Sequence, residues 1–241
     1  MSSQRIQCEQ LKSDADFFSV RFVHEVSEQL GVRQNILNEV KRDVDSGAMV
    51  TVIHRGGLGY AATSDTSVSG LKRALQEAEL WAAASAGKTV TDYSRVPLPH
   101  PQAQYSTPVE RAWDSLSLQD KVALLMSTSQ SMRVHEEIVD WWAGLWRVET
   151  RSNYWTSEGG WVEQSLEHLT PMLGAVANRG TETYTRTFGE HCNQGGLELL
   201  TFHDFQGRAE PLAQEALALL DAPNCPTETC HLLLAPDQMI L

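Results

Sequence analysis

Val50-Thr51-Val52-Ile53-His54-Arg55-Gly56-Gly57-Leu58-Gly59-Tyr60-Ala61-Ala62 decides the fold class. Two apolar, largely β-branched or small runs flank Arg55-Gly56-Gly57, a tight-turn signal. Residues 50–53 and 58–62 are therefore expected to pair as a hairpin. Working upstream, Phe18, Val20, Phe22, His24 and Val26 recur at every second position, the spacing of one strand face. A short helix over 4–13 precedes them. Gly31 and Asp45-Ser46-Gly47 are read as punctuation, giving a second strand around 36–44 and a third over 48–54.

Downstream of the hairpin the period changes. Leu71, Ala74, Leu75, Ala78 and Ala82 line one side of a helix that Ser67 or Ser69 can cap and Gly87 can stop. Pro97, Pro99, Pro101 and Pro108 then mark a proline-rich linker at 95–110 between an N-terminal unit, 1–94, and a second unit, 111–241. The order of elements recurs in the second unit. Ser117 opens a helix with Leu118, Val122 and Leu125 facing inward. Strand-like stretches follow at 134–149, 151–157, 161–170 and 181–188, with Glu158-Gly159-Gly160 as a turn. A last helix begins near Pro211, carries Leu212, Ala213, Ala216, Leu217 and Leu220 on its apolar side, and ends at Pro223 and Pro226. The class is α+β: two antiparallel-sheet-plus-helix units, whose shared order raises an internal duplication as a hypothesis. Residues 232–234 read as a buried strand, Pro236-Asp237 as a helix start and 238–241 as a first turn. One turn is too short to be stable alone, so the sequence is expected to continue beyond it.

Composition is that of a globular chain, with 41% hydrophobic and 21% charged residues. A net charge of −12 argues against nucleic acid or an anionic membrane as partner. No apolar run reaches ~18 residues, and the first residues lack a signal-peptide pattern. Cys8, Cys192, Cys225 and Cys230 are too sparse for a disulfide scaffold, so a reducing cytoplasm is the simplest expected home.

No motif completes a catalytic or metal site, and none is expected in this chain. A zincin needs a second histidine one helical turn after His-Glu. After His24-Glu25 those positions hold Glu28 and Gln29; after His135-Glu136 they hold Val139 and Asp140. Both pairs read as surface strand residues. Cys225 and Cys230 lack the two-residue gap of a zinc or redox pair. His191 and Cys192, with His203 and Asp204, could form a nucleophile–base set only by converging in space. Gly56-Gly57-x-Gly59 and Gly195-Gly196 open no helix in a phosphate-cradling pattern and are read as turns. Trp141, Trp142, Trp146, Trp155 and Trp161 are read as packing of a twisted sheet, with an aromatic groove for peptide or sugar as the alternative.

The stretch 50–65, with its Gly-Tyr-Ala-Ala-Thr-Ser-Asp ending, followed by Ser69-Gly-Leu-Lys-Arg-Ala-Leu75, resembles the N-terminal region of TldD/PmbA metallopeptidases. The segments 213–226 and 232–237 are similar to the part of that family leading toward its metal helix. The resemblance spans most of 15–241. It implies a zinc peptidase that cuts unfolded or short peptides inside a dimer chamber, with the metal held by an H-E-x-x-x-H helix and a later cysteine. No residue here matches those ligands. The resemblance therefore implies an N-terminal, non-catalytic half, leading toward an absent C-terminal catalytic half, with zinc expected only in the full-length protein. The partners it implies are a peptide or unfolded-protein substrate and an identical or related chain. Two other readings are a non-enzymatic partner subunit and a stand-alone hydrolase using His191, Cys192 or His203.

Overall fold

The computed structural model describes residues 3–98, 100–189, 193–223, 227–229, 231–234 and 239. Its elements are α1 (Ser3–Glu9), β1 (Phe17–Arg33), β2 (Ile36–Leu37), β3 (Lys41–His54), β4 (Gly57–Thr63), α2 (Val68–Ser85), β5 (Gln102–Ser106), α3 (Leu118–Ser131), β6 (Ile138–Thr156), β7 (Trp161–Arg179), β8 (Glu182–Gly189), β9 (Asn193–Gln194), α4 (Glu198–Phe202) and α5 (Ala209–Leu220). The class is α+β, as the sequence indicates.

The chain divides into two compact units that are not successive stretches. The first gathers 1–27, 43–107 and 148–167; the second gathers 28–42, 108–147 and 168–241. Strands β1, β6 and β7 contribute residues to both. They are 17, 19 and 19 residues long, against about 5–6 for an ordinary strand.

In the first unit, hydrogen-bonded neighbours run β4-β3-β1-β6-β7-β5. The hairpin is in the expected register, with Ile53 opposite Leu58 and His54 opposite Gly57. Arg55 and Gly56 both have positive φ, 50° and 77°, the geometry of a two-residue turn whose twist matches the strands it joins. Asp45-Ser46-Gly47 does not end a strand: β3 runs straight through it alongside β1, although β4 pairs with β3 only from Ala48 onward. Likewise Gly31 lies inside β1. The proline-rich 95–110 is not wholly irregular. Its residues 102–106 form β5, which pairs in parallel with 161–165 of β7, whereas the hairpins β3–β4 and β7–β8 are antiparallel.

Helix α2 closes this core. Ser67 caps it by accepting the Gly70 N–H, and Gly70, Leu71, Ala74, Leu75, Ala78 and Ala82 are its buried residues. They meet Phe18, Val20, Phe22, Val50, Val52 and Ala61 from the sheet and Cys8 and Leu11 from the N-terminal segment. The glycines at 57 and 59 have a second role beside the turn. A Cβ on either would lie 2.1 Å from a backbone oxygen of α2, that of Ala82 or Ala78 respectively. Two glycines facing an alanine-rich helix let strand and helix approach to backbone contact.

In the second unit β2 pairs with β1, and β8 and β9 both pair with β7. Residues 138–156 are one strand, not two, and β7 continues past Pro171 to Arg179. Pro171 sits where the partner of β7 changes from β9, opposite 168–169, to β8, opposite 172–179. A residue without an N–H is tolerated at such a break. Residues 134–137 lie outside β6. Helix α3 is capped by Ser117 as expected, yet Leu118 is exposed and the buried stripe is Lys121, Leu125, Thr128 and Ser129. Helix α5 buries Leu212, Ala213 and Ala216 against a core that includes Leu145, Leu169, Leu173, Leu200 and Phe205. With the two-residue strands β2 and β9 and the five-residue helix α4 set aside, the order helix, three strands, helix occurs twice, as α1-β1-β3-β4-α2 and α3-β6-β7-β8-α5.

Residues 232–234 do not form a strand, and Leu233 is 97% exposed. An apolar triplet has the pattern of a buried strand, but nothing described packs on it. The expected helix start at Pro236-Asp237 lies outside the described residues.

Candidate functional site

The two His-Glu pairs stay apart from any metal geometry. His24 is exposed on β1, with Nδ1 2.6 Å from Ser46 Oγ. His135 is in a turn rather than a strand; its Nδ1 accepts the Glu137 N–H at 3.2 Å, while Glu136 is exposed. Glu137 is committed to Arg179, whose guanidinium holds its carboxyl below the usual glutamate range. His191, Cys192, Cys225 and Cys230 lie outside the described residues. His203 ends α4 edge-on to Phe202, with a buried Nε2 that has no described partner, and Asp204 is exposed beside it. Cys8 is buried, and burial, then the neighbouring Glu9 charge, push its thiol up to about 12. It stays protonated and unreactive at neutral pH. Among the described residues no group of three or more His, Cys, Asp or Glu could hold a metal ion.

The tryptophans divide between core and surface. Trp141 is buried, and Trp155 packs on Phe18 with ring centroids 5.3 Å apart. Trp113 lies under Lys121, whose ammonium is 3.8 Å from the ring centroid, and its indole N–H donates to Glu28 Oε2 at 3.1 Å. Arg147 approaches the other Glu28 oxygen at 3.5 Å. Burial lowers the Lys121 pKa, and the Glu28 and Asp114 charges partly restore it. These groups satisfy one another inside the second unit, the arrangement of a structural ion cluster.

Two surfaces of the first unit remain open. The first is the free edge of β4, which pairs only with β3. Ser85 Oγ accepts the Leu58 N–H at 2.9 Å and lies 2.8 Å from the Leu58 carbonyl oxygen. Leu58 therefore turns its peptide groups away from β3. By the alternation of an antiparallel pair so do Tyr60 and Ala62, and no described residue bonds to their backbone. Beside them lies a groove of about 520 Å³ lined by Leu58, Gly59, Tyr60, Trp81, Ala84 and Ser85. Tyr60 and Trp81 are 65% and 59% exposed.

The second surface is the sheet face opposite α2. There a hollow of about 310 Å³ is walled by Phe17, Met49, Ile53, Leu58, Leu98 and Tyr154, with the hydroxyls of Ser19 and Thr51. It adjoins a second hollow of about 440 Å³, and Arg21 and Met49 line both. Arg21 escaped the sequence reading, although a lone cation in the Phe17-Ser19-Arg21-Val23-Glu25 alternation is visible once that face is known to be uncovered by a helix. Trp81 escaped because a tryptophan on the polar side of an alanine-rich helix carries no periodic signal.

Residues 18–82 match the family model described as PmbA/TldA metallopeptidase domain 1. No curated protein matches the chain. Among solved structures, a Thermotoga maritima protein described as a candidate modulator of a DNA gyrase aligns with a TM-score of 0.66 at 14% identity, over 87% of this chain and 46% of its own. A Bacteroides thetaiotaomicron protein with a similar description gives 0.62 at 12%, over 85% and 45%. TldE from Thermococcus kodakarensis gives 0.61 at 15%, over 88% and 46%. The chain thus spans less than half the length of each. The resemblance seen in the sequence holds over residues 18–82, the stretch that matches the model of the first PmbA/TldA metallopeptidase domain.

Proposed function

We propose that the chain is the N-terminal, non-catalytic region of a TldD/PmbA-like zinc peptidase acting on unfolded or short peptides. The observation that carries this is the domain-1 match over 18–82, in a chain whose fold likeness to such proteins extends well beyond that segment. The described residues do not fit a zinc ion: His24, His135 and His203 belong to no group of three or more His, Cys, Asp or Glu that could hold one. Zinc and the water it activates would come from residues outside this chain, and this region would frame a dimer chamber. The open β4 edge, with peptide groups at Tyr60 and Ala62 and a flanking aromatic groove, suits an extended segment held through its backbone, which needs no particular sequence. A second reading, a non-enzymatic partner subunit, draws support from the likeness to TldE.

Metal analysis and a peptidase assay test the proposal. The purified 241-residue chain is expected to carry no stoichiometric zinc and to cleave no unfolded peptide. Extending the coding sequence downstream should reveal an H-E-x-x-x-H segment and restore both properties. One zinc per isolated chain, lost on His135→Ala, overturns the reading. A downstream sequence without the motif moves it to the partner subunit.

A further inference from the structure

We infer that the hollow on the sheet face opposite α2 is a site for the C-terminal carboxylate of a bound peptide, with Arg21 as its anchor. This goes beyond the β4-edge reading, which concerns another surface of the same unit, and rests on the peptide-handling role proposed above. Of the residues lining the 310 Å³ hollow, Arg21 is the only charged one. The rest are apolar walls and the hydroxyls of Ser19, Thr51, Tyr93 and Tyr154, a lining that takes uncharged side chains and one anion. Among the described residues Arg21 has no ion-pair or hydrogen-bond partner, whereas Arg33, Arg73, Arg151, Arg179 and Arg186 each hold a carboxylate. A guanidinium presents paired N–H donors matched to a carboxylate.

The neighbouring hollow gives the site its direction. Past Arg21 the lining includes Glu25 and Asp45. Both are engaged: Glu25 accepts from Thr150 Oγ1 at 3.2 Å, and Asp45 from the Ser46 N–H at 2.8 Å. Their charges still repel an anion placed beyond Arg21. A peptide can therefore lay apolar residues along Leu98, Ile53 and Met49 and end at Arg21, but an acidic chain continuing past it meets like charge. Charge complementarity thus selects a chain terminus over an internal acidic residue.

Fluorescence anisotropy of the chain with a labelled apolar hexapeptide tests this, comparing a free C-terminal carboxylate with a C-terminal amide. The carboxylate form should bind roughly tenfold tighter. Arg21→Gln should bring its affinity down to that of the amide while leaving amide binding unchanged, which also shows that the variant is folded. Arg55→Gln, a solvent-facing cation on the hairpin turn, should leave the preference intact. Equal binding of the two peptides, no binding of either, or a preference that survives Arg21→Gln overturns the inference. So does self-association through this face, seen as an Arg21→Glu variant of lower mass that binds no peptide. Because binding is read without cleavage or zinc, these failures are distinct from failure of the peptidase reading.

Discussion

At the scale of single residues, paired charges make the fold sensitive to acid. Arg33 bonds Asp140 through both Nε and Nη2, with Nε 2.9 Å from Oδ1. These hydrogen bonds and the guanidinium charge hold the Asp140 carboxyl below its ordinary range. A carboxylate with a depressed folded-state pKa stabilises the protein above its unfolded value, near 3.9, and loses that contribution as pH falls through the folded value. Arg33→Gln should therefore unfold at lower denaturant concentration than the parent at pH 7. The gap should close as pH drops below about 4, and denaturant titrations across that range measure it. A gap unchanged at pH 2 would assign the effect to packing of the Arg33 stem. Arg33 and Asp140 are 107 residues apart, which is why no sequence pattern announces the pair. The failed His-Glu spacings, by contrast, were legible from position alone.

Among the elements, helix α2 and its hairpin were the most legible, because local chemistry and tertiary packing agree there. Ser67, the 3.6-residue apolar stripe and Arg55-Gly56 each serve locally the structure that the core needs. Strands β3 and β6 were harder. Asp45-Ser46-Gly47 has turn chemistry, yet it runs as strand beside β1, where Ser46 Oγ meets His24 Nδ1, a tertiary contact that local chemistry does not announce. Leu118 was misplaced inward because Lys121 buries its stem and covers Trp113 in its stead. Two substitutions separate the kinds of information in the hairpin–helix pair. Ser67→Ala removes only the cap and should cost about 1 kcal/mol. Gly59→Ala drives a methyl into the Ala78 carbonyl and the α2 backbone and should cost more, up to about 3 kcal/mol. Thermal unfolding of both variants checks the order; a Gly59→Ala loss no larger than the cap loss would mean that α2 slides freely on β4.

For the molecule as a whole, the sequence revealed two sheet-and-helix units but not how the chain is shared between them, since only three-dimensional pairing shows that β1, β6 and β7 serve both. Within the first unit Phe18 donates its N–H to Ser157 Oγ at 3.1 Å, and the Ser157 N–H returns to the Phe18 carbonyl at 2.9 Å, across 139 residues of chain. Trp155 completes the core over Phe18. The consequence falls on synthesis. As the chain leaves the ribosome, residues 18–82 emerge with every local signal in place but without β6, the strand on the other side of β1 from β3. They must wait, collapsed or chaperoned, for its first-unit residues more than sixty positions further on. Force profiles on arrested nascent chains should show no folding event when residue 107 has cleared the exit tunnel and a strong one only after residue 167. An event at the earlier length would mean that hairpin and helix close on their own, and that the late strands are added to a finished core.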